Sequence, residues 1–442
     1  MNISNKIFLK KKILIYGLGK SGISSYNFLK KKNTIFLYDD LKKKFKIKNL
    51  NKKFIKRKDI LRNKFDYIVI SPGIDINKCK LKKYLKKNYK KIITDLDIFY
   101  SHYFNNKIIS ITGTNGKSTT SKLLHLILKH QNFDTRICGN IGRPILLEKN
   151  ISKKTIFVIE VSSYQLEYSK IFKTNYAIIL NISVDHLERH KSMQNYVNAK
   201  FKLVANQKKK DFAFINFNNK YLKKLFIKNK INSKLFKINL KIFKKYKKKI
   251  LNKYFLTYGN QENLSFIFSI CEQLKLNMKR VIKTINEFKG LKYRQELIFK
   301  NKNLTLINDS KATSFESSIN ALKPLKKVLW IVGGIPKFRD KFTLKKTQCK
   351  NITVYIFGKN KNFFVNQFKN KVIFYYFKNL ETLIKKILQD AKLKTKNSFY
   401  KNILFSPAAA SFDSFKSFEE RGEYFNFLIK KYKLRKVFNV IK

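Results

Sequence analysis

The stretch Gly113-Thr-Asn-Gly-Lys-Ser-Thr119 stands between a segment at 107–111 that predicts a β-strand and a segment at 118–130 that predicts a helix. In such a unit the backbone N–H groups of the glycine turn point at phosphate oxygens, and the helix dipole adds positive potential. Lys117 would neutralise the outer phosphates of ATP, and the Ser118 hydroxyl would reach Mg²⁺. We expect every residue of the loop to contact ATP: Gly113, Thr114, Asn115, Gly116, Lys117, Ser118 and Thr119.

The loop departs from the general phosphate-loop pattern at one position. That pattern has its first glycine five residues before the second, where this chain has Ile111, and a glycine follows at Gly113 instead. The setting between strand and helix is that of a phosphate loop, so we interpret the sequence as a variant of it.

Two further polar motifs follow strands predicted in the same module, at 155–159 and 177–182. Glu160 ends the first strand, where phosphate-loop enzymes keep an acid that binds the metal ion. Asp185-His186 follows the second strand. Each motif alone would be unremarkable, because a glutamate at the end of a strand is usually solvated and a lone histidine is usually structural. Beside a phosphate loop, both become candidates for binding Mg²⁺.

An earlier glycine turn, Gly17-Leu-Gly-Lys-Ser-Gly22, follows a strand predicted at 12–16, and Asp39 follows a second strand at 34–38. This spacing is typical of dinucleotide-binding folds, but a lone G-x-G-x-x-G motif is weak evidence. It indicates a bound diphosphate and does not say that the ligand is NAD. We therefore favour another nucleotide diphosphate over NAD at this site.

The sequence as a whole predicts an α/β protein of three modules with parallel sheets. A third module begins after Gly290, and the lysine-rich stretch 207–257 is interpreted as a peripheral segment. The remaining predicted elements are strands at 67–70, 304–307, 328–332, 353–357 and 402–405, and helices at 23–30 and 418–432.

Composition limits the class of protein. The chain has 442 residues, of which 44% are hydrophobic, so each module can bury a core. No run of 18 or more apolar residues occurs, so we expect neither a membrane-spanning helix nor membrane insertion. The basic N-terminus lacks the apolar core of a signal peptide, which predicts a cytoplasmic protein. The four cysteines, none in a C-x-x-C pair, are expected to be reduced thiols.

The formal net charge of +71 admits two interpretations. A strongly basic chain has the electrostatic character of a nucleic-acid-binding protein. Here, however, the lysines are spread from end to end and accompany Asn, Ile, Phe and Tyr, whose codons are rich in A and T. We favour a genome-wide codon bias and expect no specific nucleic-acid partner. An RNA-stimulated ATPase remains the alternative from a different class.

Taken together, the motifs resemble those of the Mur ligases, which build the peptide of bacterial cell-wall precursors. The resemblance covers the whole chain and is most specific at 406–422, which is similar to the branch of the family that adds D-glutamate. The motifs that carry it are Ile111–Thr119, Gly139-Asn-Ile-Gly142, Glu160-Val-Ser-Ser-Tyr-Gln-Leu-Glu167, Asn181-Ile-Ser-Val-Asp-His186, Asn308-Asp-Ser-Lys-Ala-Thr313 and Ser406-Pro-Ala-Ala-Ala-Ser-Phe-Asp-Ser-Phe-Lys-Ser-Phe-Glu-Glu-Arg-Gly422.

This resemblance implies a fold and an activity. The fold is a three-domain architecture with a Rossmann-like UDP-binding domain at 1–97, a central phosphate-loop ATPase-like domain at 98–290 and a Rossmann-like D-glutamate-binding domain at 291–442. The activity is ATP-dependent amide formation between UDP-N-acetylmuramoyl-L-alanine and D-glutamate, through an acyl phosphate, by a monomeric cytoplasmic enzyme. Another Mur ligase or a folate-type polyglutamate synthase is the runner-up, and the segment 406–422 argues against both.

The resemblance also implies roles for individual residues. Lys117 would hold phosphates, Ser118 and Glu160 would bind a first Mg²⁺, and His186 with a carbamylated Lys200 would bind a second. Further ATP contacts would come from Asn263, Arg294 and Asp309. The sugar nucleotide would be bound by Gly17, Leu18, Lys20, Ser21, Asp39, Ser71 and Asn140. D-Glutamate would be bound by Lys311, Thr313, Lys337, Ser411, Phe412 and Phe418.

Two of these positions depart from the family pattern. Phe412 stands where relatives often have leucine, and the loop around Lys337 diverges from the glycine-richer loop of the family.

Overall fold

The first sheet places the Gly17 turn at its centre. In this computed structural model, which describes residues 7–41, 53–256, 258–302, 304–337, 340–392 and 401–434, the first four strands are parallel in the order β2-β1-β3-β4. The chain leaves β1 on one side and returns on the other, so a ligand-binding crevice opens above β1. The elements are β1 (Lys12–Tyr16), α1 (Lys20–Leu29), β2 (Thr34–Tyr38), α2 (Arg57–Arg62), β3 (Tyr67–Ile70), α3 (Lys82–Lys87), β4 (Ile92–Ile93) and α4 (Asp95–Tyr103).

The second sheet has six parallel strands in the order β10-β9-β8-β5-β7-β6, and the phosphate loop leaves its central strand, β5. The elements are β5 (Lys107–Thr112), α5 (Lys117–His130), β6 (Thr135–Gly139), β7 (Ile156–Glu160), α6 (Ser163–Glu167), β8 (Tyr176–Ile179), α7 (Leu187–His190), α8 (Met193–Ala205), β9 (Phe212–Asn216), α9 (Lys220–Lys228), β10 (Lys234–Ile238), α10 (Lys241–Tyr246), α11 (Tyr258–Gln273) and α12 (Met278–Glu287).

The third sheet has the order β11-β12-β16-β13-β14-β15, with β11 antiparallel to β12 and the other pairs parallel. The elements are β11 (Glu296–Lys300), β12 (Thr305–Asn308), α13 (Phe315–Leu322), β13 (Val328–Gly333), β14 (Ile352–Phe357), α14 (Lys361–Phe368), β15 (Ile373–Phe377), α15 (Leu380–Lys392), β16 (Asn402–Phe405) and α16 (Phe418–Lys431). Short 3₁₀ turns lie at Tyr89–Lys91, Ile145–Leu147, Lys247–Lys249, Lys253–Leu256 and Lys346–Cys349.

The central strands β7 and β13 are buried along their whole length, and the one charged residue in them is Glu160 at the end of β7. Such continuous apolar runs are typical of parallel sheets, whereas a sheet with one wet face shows alternation. The prediction of an α/β protein with three parallel modules is confirmed in this respect, with the antiparallel edge strand β11 as the addition.

The chain divides into two compact units, 1–288 and 289–442. One continuous apolar cluster, which extends from Phe8 to Phe226, joins the first two sheets within the first unit. In the second unit, two clusters cover the two faces of the third sheet. The finer division at residues 97 and 290 stays a prediction.

The interpretation of 207–257 as a peripheral segment missed two strands, which lie at one edge of the second sheet. Phe212–Asn216 and Lys234–Ile238 form β9 and β10, which extend the second sheet. The same segment contains α9, which carries its lysines mainly on the outer face and buries Leu222, Leu225 and Phe226. A long lysine stem covers apolar surface while its ammonium stays in water.

Candidate active site

The phosphate loop is shaped by two glycines and by a neighbouring strand end. Gly116 has a φ of +84° and stands directly before α5. A Cβ atom there would lie 2.3 Å from Oδ1 of Asn263, so the turn needs glycine. The Thr114 N–H donates to the Asn181 main-chain oxygen at 2.9 Å, and the Asn115 N–H donates to Asn181 Oδ1 at 2.8 Å. Asn181, to which the sequence assigned no role, thus fixes the outer half of the loop.

The inner half of the loop presents its donors at the start of α5. The first N–H groups of a helix have no acceptor within that helix, which makes this end a site for anions. Lys117 donates from Nζ to the main-chain oxygens of Gly113 and Thr114, both at 2.8 Å. Its ammonium therefore lies over the mouth of the loop. Ser118 and Thr119 are buried in the first turn of the same helix.

Glu160 lies at the carboxyl end of β7, and its backbone is in register with Ile111 of β5 and Gly139 of β6. The side chain is only 1% exposed. Asn140 donates from Nδ2 to Glu160 Oε1 at 2.7 Å, whereas Oε2 is buried without a hydrogen-bond partner. A buried carboxylate oxygen without a partner is costly, and a cation would remove that cost.

Lys200, on α8, is fully buried close to the phosphate loop. Its Nζ donates to the Gly113 main-chain oxygen at 3.0 Å and to Thr112 Oγ1 at 3.3 Å, and it lies 4.8 Å from the centre of the Tyr196 ring. Burial, followed by repulsion from Lys117, holds the pKa of this amine well below its usual range. Lys200 is therefore a lysine that gives up its proton readily, unlike the many surface lysines of this chain.

His186 occupies a backbone conformation that is unusual for a residue other than glycine. Its φ is +54° and ψ is +29°, at the turn that opens α7. Its N–H donates to Oδ1 of Asp185 at 2.9 Å, which supports the turn. Left-handed residues of this kind concentrate at functional sites. His186 and Lys200 both lie close to Tyr196: the His186 and Tyr196 ring centres are 6.2 Å apart, and Lys200 Nζ is 4.8 Å from the same Tyr196 centre.

No group of three or more histidine, cysteine, aspartate or glutamate side chains is arranged to hold a metal ion in the described part of the chain.

In the first sheet, the predicted sugar-nucleotide residues lie together at the carboxyl ends of β1, β2 and β3. The Leu18 N–H donates to Asp39 Oδ2 at 2.7 Å, and Ser71 Oγ donates to the Gly17 main-chain oxygen at 2.5 Å. Gly22 is required by close packing, because a Cβ there would lie 1.9 Å from that same Gly17 oxygen. Lys20 and Ser21 begin α1 directly after the turn.

In the second unit, most of the predicted contacts lie on the loops after β12, β13 and β16, whereas Arg294 precedes β11 and Phe418 begins α16. Burial raises the pKa of Asp309 to about 7, although its carboxylate accepts hydrogen bonds from Ser406 Oγ at 3.0 Å and from the Gln295 N–H at 3.1 Å. Nζ of Lys311 lies 4.0 Å above the centre of the Phe418 ring. The Arg294 guanidinium lies 5.9 Å from the same centre.

The remaining D-glutamate candidates flank a bridge between two loops. Ile335 and Ala410 exchange two main-chain hydrogen bonds of 2.8 Å, which places the segments that carry Lys337 and Ser411 side by side. Ser411 is buried, whereas 71% of Phe412 is exposed. Thr313 is half-buried just before α13. The divergent loop continues into residues 338–339, which lie outside the described residues.

Arg421, which the sequence quoted within a motif but gave no role, holds these loops together. Its Nη2 donates to the main-chain oxygens of Ser310 and Ala409 at 2.7 and 2.9 Å. Its Nη1 donates to the Gly333 oxygen at 3.3 Å, and Nε to Ser310 Oγ at 3.1 Å. One buried guanidinium thus joins the loops that follow β12, β13 and β16.

Comparison with known proteins decides the family. The model for the Mur ligase middle domain matches residues 111–279, and that for the MurD-like N-terminal domain of Mur ligases matches residues 11–93. UDP-N-acetylmuramoylalanine–D-glutamate ligase of Rickettsia prowazekii is 35% identical over 96% of this chain and 99% of its own length. This chain belongs to the Mur ligase family, among its MurD-type members. The ligase of the same name from Caldicellulosiruptor saccharolyticus is 31% identical over 94% of this chain and 97% of its own.

Solved structures support the same fold. The Mur ligase MurF of Thermotoga maritima, crystallised with ADP, has a TM-score of 0.54 and 13% identity, and the comparison covers 97% of both chains. MurC of the same organism has a TM-score of 0.53 and 17% identity, with 96% of this chain and 99% of that one covered. Within the described residues, no helix is long and apolar enough to cross a membrane.

Proposed function

We propose that this Mur ligase uses ATP to join D-glutamate to the L-alanine carboxylate of UDP-N-acetylmuramoyl-L-alanine. The proposal is supported by relatives of that name that match almost the whole chain. The observation that carries the chemistry is the grouping of the phosphate loop, the unpartnered Glu160 oxygen and the buried Lys200 at one edge of the second sheet.

The reaction explains why such a site is needed. A carboxylate is a poor electrophile, because its leaving group would be oxide. Transfer of the γ-phosphoryl group of ATP gives an acyl phosphate and ADP, and the D-glutamate amine then attacks the acyl carbon and expels phosphate. Several anions meet in these steps, so the protein acts mainly by positioning the reactants and by stabilising charge.

In the first unit, the residues fit the phosphates of ATP and two Mg²⁺ ions. Lys117 and the first turn of α5 would hold the phosphates, and Asn263 would contact the nucleotide beside Gly116. Ser118 and Glu160 would hold one Mg²⁺, because the buried Oε2 of Glu160 lacks a partner. His186 and a carbamylated Lys200 would hold the second. Bound Mg²⁺ supplies positive charge to the phosphate and carboxylate oxygens.

Carbamylation of Lys200 follows from the state of its amine. A neutral amine has a lone pair that attacks CO₂, which forms an N–C bond, releases one proton and leaves an anionic carbamate. Burial and the positive charge of Lys117 favour the neutral amine. A carbamate would give the site an anionic oxygen ligand, the type of ligand that Mg²⁺ prefers.

The other substrates would be bound as the resemblance implies. The sugar nucleotide would lie above the first sheet, on Gly17, Leu18, Lys20, Ser21, Asp39 and Ser71, with Asn140 as a further contact. Arg294 and Asp309 would contact ATP. D-Glutamate would be bound by Lys311, Thr313, Lys337, Ser411, Phe412 and Phe418. We further propose a monomeric cytoplasmic enzyme with no specific nucleic-acid partner.

The test is an assay for phosphate release. Purified protein with ATP, Mg²⁺ and UDP-N-acetylmuramoyl-L-alanine should release phosphate only after D-glutamate is added, because the acyl phosphate needs an amine to complete the reaction. L-Lysine, diaminopimelate and RNA serve as matched additions. Release driven by either amine would indicate another ligase of the family, and release driven by RNA would indicate a nucleic-acid-stimulated ATPase.

A further inference from the structure

Two side chains outside the assigned site contact the ring of His186. Tyr164, on α6, places its hydroxyl oxygen 2.9 Å from His186 Nδ1. The same hydroxyl donates to Oε1 of Glu188, on α7, at 3.1 Å. Glu188 Oε1 also lies 3.4 Å from His186 Nδ1. A carboxylate, a phenol and an imidazole therefore form a connected set on one side of the histidine ring.

The proton count of this set fixes the roles of its atoms. A phenol has one hydroxyl proton, and Tyr164 donates it in a hydrogen bond to the Glu188 carboxylate. An ionised carboxylate can only accept hydrogen bonds. The Tyr164 oxygen is then left as an acceptor, so the contact at 2.9 Å requires a proton on His186 Nδ1. The second neighbour of Nδ1 is the Glu188 oxygen, which is also an acceptor. Both neighbours thus favour the Nδ1–H tautomer.

The opposite nitrogen is then available as a ligand. In the Nδ1–H tautomer, Nε2 carries the lone pair that a metal ion needs. Asp185 Oδ2 lies 3.4 Å from Nε2, and this longer contact competes less well for the proton than the 2.9 Å contact on the other side. A nitrogen lone pair and a carboxylate oxygen therefore face each other on the side away from Tyr164.

The local sequence holds Tyr164 in this position. Ser162 caps α6 and forms a reciprocal pair with Gln165, which fixes the start of the helix. The Tyr164 ring also packs against Arg189, whose guanidinium lies 5.3 Å from the ring centre, and against His190 at 5.6 Å. The phenol is thus oriented by packing as well as by its hydrogen bonds.

We propose that Tyr164 and Glu188 are positioning residues that hold His186 as the Nδ1–H tautomer and so present Nε2 to the second divalent cation. This inference rests on the proposed function for the role of that cation, but not for the tautomer itself. Partners of this kind orient most metal-binding histidines, and their removal usually costs about 10- to 100-fold in metal affinity or activity.

The tautomer is tested without metal or substrates. Long-range ¹H–¹⁵N spectra of the ¹⁵N-labelled full chain at pH about 8.5, above the usual histidine pKa, resolve five histidines, and the signal lost in His186→Gln identifies His186. We expect Nδ1–H in the wild type. In Glu188→Ala, Tyr164 can turn its proton toward Nδ1, so we expect Nε2–H. An unchanged tautomer in Glu188→Ala would overturn the proposal whether or not the chain ligates D-glutamate.

The metal requirement provides the second readout. Glu188→Ala should raise the Mg²⁺ concentration for half-maximal ligation by about 10- to 100-fold, with kcat largely restored at saturating Mg²⁺. Adding Tyr164→Phe to that variant removes the competing donor, so the double variant should need less Mg²⁺ than Glu188→Ala alone. A purely structural role predicts the reverse order, and that order would overturn the proposal.

Tyr168→Phe is the matched control. Tyr168 also packs its ring on Arg189, at 5.4 Å, but its hydroxyl contacts the Ile76 N–H and Arg189. It shares the environment of Tyr164 without the contact to His186. The Mg²⁺ requirement and the His186 tautomer should both match the wild type in this variant. A shift equal to that of Glu188→Ala would mean that the effect is one of packing, which contradicts the proposal.

Discussion

Each unit buries one basic side chain beside the carboxyl ends of parallel strands, but the two side chains differ. Lys200 in the first unit is 2% exposed and Arg421 in the second is 1% exposed. Both donate to main-chain oxygens at the carboxyl ends of parallel strands. Neither has a side-chain carboxylate among the acceptors found for it.

The difference lies in what burial does to the proton. The pKa of Lys200 is held well below its usual range by burial and by Lys117. Burial lowers the pKa of Arg421 only to about 10, so the guanidinium stays charged at neutral pH. A lysine amine that loses its charge can act as a nucleophile. The guanidinium of arginine stays charged and can donate hydrogen bonds to several carbonyl oxygens at once. We therefore propose a chemical role for Lys200 and an architectural role for Arg421 in the loops of its unit.

The largest expected effect tests the chemical half of this comparison. Lys200→Ala should reduce kcat for D-glutamate ligation by at least about 100-fold, the usual cost of removing one charge-stabilising group from an active site. Excess bicarbonate should not restore the activity, because alanine has no amine to carbamylate. Steady-state phosphate release with and without bicarbonate provides the measurement.

Lys202→Ala is the control for that variant. Lys202 lies on the same helix and donates to the Glu167 main-chain oxygen, away from the phosphate loop. Its removal should leave kcat close to the wild-type value. If Lys200→Ala also turned over at the wild-type rate, Lys200 would carry no metal ion, and the contrast with Arg421 would lose its meaning.

The structural half of the comparison predicts a change in stability. Arg421→Met should destabilise the second unit by roughly 3–5 kcal/mol, because several buried oxygens lose their donor at once. The chain has one tryptophan, Trp330, which is buried in this unit and donates from Nε1 to the Ser406 oxygen at 2.7 Å. Its fluorescence during urea unfolding therefore reports on the unit that contains Arg421.

Arg280→Met provides the control for this measurement. Arg280 is exposed on α12 in the first unit, so its loss should not move the Trp330 transition. An Arg421→Met transition that coincides with the wild type would show that the three loops do not depend on the guanidinium. Arg421 would then contribute nothing measurable to the stability of the second unit, and the architectural role proposed for it would be wrong.

Much of the fold follows from local sequence. The strands at 12–16, 34–38, 67–70 and 402–405 have the bounds that the sequence predicts, since short apolar runs between glycines and polar turns are unambiguous in an α/β protein. β10 was missed because Lys234 and Lys237 break its apolar pattern. β9 contains no lysine itself and was missed with the lysine-rich stretch that surrounds it. β15 is an edge strand of the third sheet, and three of its five residues are exposed, unlike those of a strand covered on both faces.

The site divides in the same way. The phosphate loop and Glu160 can be found from the sequence, because one contiguous motif or one strand end specifies each of them. Arg421 cannot, because its acceptors include Ser310, which lies 111 residues earlier in the chain. Tyr164 is similar, since its value lies in a contact with His186 that exists only when α6 and α7 meet. Both residues belong to recognisable motifs, but the motifs do not show which residues they contact.

The smallest predicted effect extends the comparison to buried acids, and its sign depends on pH. Burial raises the pKa of Asp309 to about 7 from an ordinary value of 3.8. Between these values the unfolded chain is ionised and the folded chain is protonated, so folding is penalised increasingly as pH rises and the penalty is constant above about pH 7. Asp309→Asn removes the ionisation, and the Ser406 hydroxyl can still donate to Ser318.

We therefore expect Asp309→Asn to raise the urea midpoint of the Trp330 transition above about pH 7, by an amount equivalent to roughly 1–3 kcal/mol. The gain should shrink as pH falls and vanish below about pH 4, where both states of the wild type are protonated. A gain that is independent of pH would place the cause in packing rather than in charge. Asp309 would then resemble Arg421, as a fixed part of the loop architecture, rather than Lys200, whose proton is mobile.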